Sequence, residues 1–483
     1  MSFQSLAFFG FLAVALAVCL SVGRRSSGAG AALLTAASAV FYLLGPGGPA
    51  VVLGGLACLL LGICVTSWAI RRMARSGGSR RRTMVLACVY HIAVLVGFKY
   101  TEFLTGGAVE VGWAPLGLSF FTFQQLWLLK EVCTGEYVPG PGDRLLLYGL
   151  FFPTVTSGPI LRPDTFFPQL REETFLHPDW SDAAAGVYAI CCGTIKKVLL
   201  ADSFGTVVNN GWTRLGELSA PAAWLVILGY TLQLYFDFSG YCDIAAGVAR
   251  LFGIRLPVNF DSPYRSASVT EFWKRWHITL TTFLRECLYF PLGGSRRGTA
   301  RTYCNILIIF LVSGFWHGAG WTFLVWGALH GLAQVIERAW GKRRDHLPLL
   351  LRWGLTFLFV NIAWVFFRAP DCAGALELLS RAVTGGLAKP EAWLLEGLFT
   401  EEASAVQMLL PALGPWRNIL RVVLLYGAGM LAVLWPRNVI RRMEDFRPTV
   451  WRGGRTGDPD AVVRAVLHRR HHFHLFQFLR RTV

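Results

Sequence analysis

The chain of 483 residues is 54 % hydrophobic and 16 % charged, against roughly 45–50 % and about 25 % in soluble globular proteins, and its mean hydropathy is +0.47. So much apolar surface cannot be hidden in one aqueous core, which excludes a soluble enzyme and leaves an integral membrane protein. The net charge of +17 does not point to nucleic acid, because the basic residues flank apolar runs at Arg24-Arg25, Arg71-Arg72, Arg80-Arg81-Arg82, Lys342-Arg343-Arg344 and Arg441-Arg442; charge so placed marks cytoplasmic loops, not a solvated basic groove.

A bilayer span needs about 20 apolar residues. In chain order such runs fall at 3–22, 31–45, 49–70, 83–104, 114–131, 143–157, 183–202, 222–252, 303–317, 321–340, 350–368 and 419–436. They predict an all-α fold, a polytopic transmembrane helical bundle of about 10–12 spans. Several runs are short, and Gly and Pro interrupt others (Gly45-Pro46-Gly47-Gly48-Pro49; Gly149 and Pro153). Broken or re-entrant helices are therefore expected, tolerated where protein or a cavity satisfies the freed backbone groups.

The first run, Met1 to Val22, has no basic residues before it and Arg24-Arg25 after it. A cleaved signal peptide carries the opposite polarity, so this run reads as a first membrane helix with its N-terminus outside the cytoplasm. Spans two and three form a hairpin that returns at Arg71-Arg72, and Arg441-Arg442 follow the last span. In a Gram-negative type of cell this means an inner-membrane protein with a periplasmic N-terminus and a cytoplasmic C-terminus. The chain divides into N-terminal transmembrane helices (1–80), a core (81–370), C-terminal transmembrane helices (371–436) and a basic cytoplasmic or interfacial tail (437–483).

The 11 Cys show no C-x-x-C spacing and read as small buried hydrophobes, not as a disulfide framework or zinc cage. In the tail, His468, His471, His472 and His474 lie within seven residues; without a carboxylate or Cys to complete a site, the segment reads as interfacial, with Phe473, Phe476 and Phe478 dipping into headgroups. No bound metal or cofactor is expected. No internal repeat is visible, which counts against a solute transporter built from inverted repeats.

Residues 257–331 differ from the rest. Phe272-Trp273-Lys274-Arg275-Trp276-His277 and Phe283-Leu284-Arg285-Glu286 mix aromatic bulk with ionisable groups, and Phe315-Trp316-His317-Gly318-Ala319-Gly320-Trp321 and Trp326-Gly327-Ala328-Leu329-His330-Gly331 follow. His317 falls at the break between two apolar runs. Charged groups at membrane depth cost about 2.5–3.5 kcal/mol on insertion scales, and ionisable residues retained there are functional candidates. A dry setting favours the neutral imidazole that a general base requires. The bland alternative, a histidine bonding a helix carbonyl, weighs about equally on composition alone.

The strings Trp273-Lys274-Arg275-Trp276-His277, Leu288-Tyr289-Phe290-Pro291-Leu292-Gly293-Gly294 and Trp316-His317-Gly318-Ala319 resemble the membrane-bound O-acyltransferase (MBOAT) family. The branch they resemble is that of alginate O-acetyltransferases and teichoic-acid D-alanyl transfer. Ser157-Gly158-Pro159-Ile160 and the run from Tyr235 to Asp243 (YFDFSGYCD) add to the likeness, which covers roughly residues 80–370 in order. The resemblance implies a bundle pierced by a central tunnel, with a cytoplasmic acyl donor such as acetyl-CoA or another acyl thioester, and a hydroxyl acceptor on an extracytoplasmic polysaccharide. It implies a periplasmic partner resembling SGNH hydrolases. It places the catalytic histidine on His317, a second polar position on His277 and a third histidine on His330. Residue chemistry adds Trp316, Trp276 and Asp237 as supporting groups, and Lys274, Arg275 and Arg285 as cations for donor phosphates; a positive-inside loop explains those cations equally well. Asp237 and Asp243 either line the tunnel or pair with Arg250 or Arg255, the preferred reading. D-alanyl transfer from a carrier protein is the alternative enzymatic reading.

Overall fold

The computed structural model describes residues 1, 3–75, 79–140, 143–398, 417–434 and 438–445. The histidine-rich stretch 468–474 and its phenylalanines lie outside them. Among the described residues there are helices and no strands. The principal helices are α1 (Leu6–Gly23), α2 (Ser27–Leu43), α3 (Pro49–Arg75), α4 (Arg80–Lys99), α5 (Leu118–Thr134), α6 (Leu145–Leu150), α7 (Trp180–Thr213), α8 (Ala220–Leu251), α9 (Val269–Arg275), α10 (Ile278–Leu284), α11 (Thr299–His317), α12 (Trp321–Trp340), α13 (Leu349–Arg368), α14 (Cys372–Thr384), α15 (Arg417–Leu434) and α16 (Val439–Glu444).

Among the described residues six of these, α1, α3, α4, α7, α11 and α13, are long and apolar enough to cross a bilayer. That is fewer than the runs in the sequence, for three physical reasons. α2 and α15 are apolar but short. α8 and α12 have the length but carry polar groups, Asp237, Asp243 and Arg250 in one and His330, Gln334 and Glu337 in the other, and the 17-residue α5 carries Gln124, Gln125, Lys130 and Glu131. The run at 143–157 forms only the six-residue α6 before the chain turns irregular at Phe151 to Leu161, a broken helix of the kind expected there.

Close packing rests on small residues where no hydrophobic effect drives helices together in lipid. Gly186 and Gly193 of α7 face Gly247 and Gly240 of α8, and a Cβ on any of the four would lie 2.5–2.8 Å from the opposing carbonyl oxygen. α7 is α-helical except for a π turn at Ile195–Ala201. The extra residue in that turn lets two consecutive lysines face α8. Lys196 reaches Asp243 at 2.6 Å, and Lys197 pairs with Asp237. The carboxylates therefore do not pair with Arg250 or Arg255; Arg250 instead binds Asp182 at 2.6 Å.

Two apolar clusters form the centre. One holds Phe272, Trp273 and Trp276 with Trp326 and Trp364; the other holds Leu280, Phe283 and Leu284 with Phe123 and Trp316. Thus α9 is anchored in one and α10 in the other. His277 is the joint between them.

Candidate active site

The joint is built by capping. Ser268 accepts a hydrogen bond from Glu271 N–H (3.0 Å), and Glu271 Oε2 accepts one from Ala267 N–H (3.0 Å), a reciprocal cap that starts α9. The helix stops at Trp276, where the backbone becomes extended, and His277 follows with φ 44° and ψ 53°. A left-handed non-glycine residue costs about 1–2 kcal/mol and persists where its surroundings over-determine it. Here Asn259 does so. Its carbonyl accepts from Ile278 N–H at 2.9 Å. Its side-chain Oδ1 accepts from Thr279 N–H (3.2 Å) and Thr279 Oγ1 (2.9 Å), and lies 3.3 Å from His277 Nδ1.

That oxygen settles the tautomer of His277. A backbone N–H can only donate, so the atom facing Thr279 is the amide oxygen; Asn259 Nδ2 faces Cys242 Sγ instead, at 3.4 Å. Nδ1 of His277 must then carry a proton, and in the neutral ring Nε2 is a bare acceptor. His277 is 1 % exposed, and its Nε2 has no hydrogen-bond partner among the described residues.

His317 is the last residue of α11. The hairpin into α12 is tight because Gly314 and Gly327 meet: a Cβ on either would collide with the backbone carbonyl of Phe323 or Phe310. A Cβ on Gly318 would strike the Phe323 ring, so the glycine beside His317 serves close approach of the two helices. Lys99 at the end of α4 donates to the carbonyls of Trp316 and, at 3.4 Å, His317, supplying a cation to the negative end of α11. The His317 ring lies edge-on to Trp326 and Phe367, each at 5.1 Å between centroids. Among the described residues no group hydrogen-bonds the His317 ring.

The two imidazoles are 6.5 Å apart, centroid to centroid, and line one cavity of about 440 Å³. Trp276, Trp316 and Asp237 line it as well, as do Lys99 and Lys197. A second chamber of about 190 Å³ is lined by Trp273, Thr281, Arg285, Ser313 and Arg338. A space of about 340 Å³ adjoins it, sharing Ile306, Gln334 and Arg338 and adding Arg344. No residue lines both the first cavity and the second chamber. They approach within one helical turn, at Ser313 and Trp316-His317 on α11 and at His277 and Thr281 around α10. The space around the histidines is thus two chambers.

The other sequence candidates separate. His330 lies away from the first cavity, fully buried, its Nδ1 accepting from Trp273 Nε1 at 3.1 Å and its ring stacked near Phe272 and Phe310. Its ring is packed in the core, with Nε2 lacking a hydrogen-bond partner among the described residues. Arg285 reaches the second chamber; Lys274 is exposed, and Arg275 pairs with Glu271 at 2.9 Å. Sequence reasoning passed over Lys99, Lys197 and Asn259. The two lysines carried a signal, since each lies within an apolar run and so needs a partner or a task. Asn259, in an irregular loop, carried none.

The MBOAT, membrane-bound O-acyltransferase family, model matches residues 144–373. Peptidoglycan O-acetyltransferase from Helicobacter pylori is 37 % identical over 343 residues, covering 63 % of this chain and 65 % of that protein. A probable alginate O-acetylase AlgI from Azotobacter vinelandii is 36 % identical over 350 residues, covering 68 % of this chain and 67 % of its own. Teichoic acid D-alanyltransferase from Bacillus subtilis is 27 % identical over 269 residues, covering 52 % and 68 %. The chain thus spans about two thirds of the length of each of these relatives.

Proposed function

This chain belongs to the membrane-bound O-acyltransferase family, and on that footing we propose that it moves an acetyl group from a cytoplasmic thioester such as acetyl-CoA to hydroxyls of an extracytoplasmic polysaccharide, directly or through a periplasmic partner protein. The observation that carries the reading is the pair of imidazoles lining one cavity, the His317 ring having no hydrogen-bond partner among the described residues. His317 takes the proton of the acceptor hydroxyl as its oxygen bonds to the acyl carbon. The carbon–sulfur bond then breaks, and the departing thiolate regains a proton to give thiol and ester. A positioned base contributes about 10²–10⁴-fold.

His277 cannot polarise the acyl carbonyl in its neutral form, because its one N–H is held by Asn259. It serves instead as an acceptor that aligns a hydroxyl or thiol. The oxyanion is met by N–H donors on the same wall, the Trp276 indole and the Lys99 ammonium, where one donor is worth about 10²–10³-fold. The narrow second chamber, with Arg285 and Arg338 at its wall and Arg344 in the adjoining space, suits the extended arm and phosphates of a coenzyme A thioester. The basic loops support an orientation with that side in the cytoplasm and the N-terminus outside.

Inner membranes containing the wild-type chain are expected to transfer label from acetyl-CoA to polysaccharide, while His317→Ala inserts normally and transfers none. Undiminished transfer by that variant would overturn the proposal. The likeness to a D-alanyltransferase motivates a parallel incubation with an alanyl thioester on a carrier protein; transfer from that donor alone would reassign the acyl group.

A further inference from the structure

The start of α6 packs against α2 and α3, and the three elements border a lateral gap. The gap is a groove of about 920 Å³. Its upper wall is apolar, formed by Ile63, Trp68 and Leu146, the last two 54 % and 48 % exposed. Its lower rim carries Arg71, Arg75 and Arg144, all exposed. Among the described residues these three guanidiniums make no ion pair. The carboxylate on the rim does not neutralise them, since Asp143 is taken up by Arg171, by Tyr137 and by the Gly140 N–H at 2.7 Å.

Apolar wall above and unpaired cations below match one kind of molecule available at that depth. α3 passes from an apolar run into its arginines along this groove, with Trp68 one turn before Arg71 and Arg72, where interfacial tryptophans sit at the headgroup level. We propose that the groove is a binding site for an anionic glycerophospholipid, its phosphate held by Arg71, Arg75 and Arg144 and its acyl chains laid along Trp68, Ile63 and Leu146. A guanidinium offers forked donors to phosphate oxygens. A general positive-inside loop also attracts anionic lipid, but only over the surface; this groove adds walls and a defined set of donors.

The test uses the full chain reconstituted in phosphatidylcholine nanodiscs doped with phosphatidylglycerol, followed by native mass spectrometry of the lipid retained on release. Wild type should keep phosphatidylglycerol in preference to phosphatidylcholine. Each arginine near an anionic surface is worth about fivefold, so Arg71→Ala/Arg75→Ala/Arg144→Ala should lose roughly a hundredfold in that preference. The Arg→Lys triple variant keeps the charges and should retain most of it, which separates lost charge from lost fold. Arg24→Ala/Arg25→Ala removes a basic cluster outside the groove and should change little. Equal retention by the alanine triple variant, or an equal loss in the Arg24/Arg25 variant, would overturn the proposal. So would displacement of the lipid by free glycerol phosphate, which would make the site one for soluble phosphate.

Discussion

Asn259 is the most informative residue to change, because its side-chain oxygen holds the hinge and one ring of the candidate site together. Leucine is of similar size but accepts nothing. Asn259→Leu would orphan the Thr279 N–H and the His277 Nδ1–H, now 3.2 and 3.3 Å from Oδ1, at a site where Asn259 is fully buried and His277 is 1 % exposed. Each buried unsatisfied donor costs about 1–3 kcal/mol, so the hinge should lose roughly 2–6 kcal/mol. The imidazole would also be free to carry its proton on either nitrogen. Acyl transfer should fall by about 10²- to 10⁴-fold, the scale of misplaced proton chemistry. Asn259→Asp is the sharper probe, since a carboxylate accepts the same three bonds and keeps the geometry. It places a negative charge beside the ring and favours the imidazolium, raising the pH at which His277 sheds its proton by about 1–3 units. A raised value means the ring stays protonated to higher pH, so the acidic limb of the kcat/KM profile should move upward by that amount, with activity recovering above it. Steady-state rates across pH, on variants matched for membrane insertion, provide the measurement. An unmoved acidic limb in Asn259→Asp would refute the placement of the His277 proton against this oxygen.

Further outcomes follow from the packing. His330→Leu leaves the Trp273 indole N–H without its acceptor, so it should lower stability by about 1–3 kcal/mol yet keep transfer within severalfold, whereas His317→Ala abolishes transfer; equal loss in both would contradict the division between core and cavity. Lys196→Met strands Asp243, whose side chain is 2 % exposed, and should destabilise by about 3–5 kcal/mol, with Asp243→Asn restoring much of it, as read by thermal unfolding in detergent. Lys197→Met leaves Asp237, 47 % exposed, and should cost at most about 1 kcal/mol. Gly240→Ala drives a methyl against the Gly193 carbonyl and should lower stability by about 1–3 kcal/mol; an unshifted melting temperature would mean that α7 and α8 separate freely.

Much of this architecture was legible in the residues, and the exceptions have causes. Apolar runs located the helices, and Arg and Gly/Pro clusters located their ends. The run at 143–157 reads like any other span, yet its Gly149 and Pro153 end α6 early, and only tertiary packing decides where a broken helix stops. His317 and His277 stood out by type and setting, because ionisable groups in apolar runs are rare. Their different settings were not legible: the tautomer of His277 depends on an oxygen 18 residues away in sequence, brought close by the joint itself. Asp237 and Asp243 drew attention, but their partners did not, because a π turn in α7 has no periodicity of its own and two adjacent lysines on a regular helix would point apart. His330 stood out in the same way, yet its ring packs against Trp326 away from the cavity, and nothing in the string distinguishes packing from chemistry.

The partition between the cavity at His317 and the chamber beyond Ser313 would, under the proposed function, bear on the cell's energy supply. A reaction that links one aqueous compartment to another through an open bore would short-circuit the proton gradient each time it turned over. Because no residue lines both spaces, a group handed between them under the proposed function would pass the single turn of α11 from Ser313 to His317, with no shared lining for hydrated ions to follow. Under the proposed function, such a partition would let the chemistry run across an energised bilayer without draining its voltage.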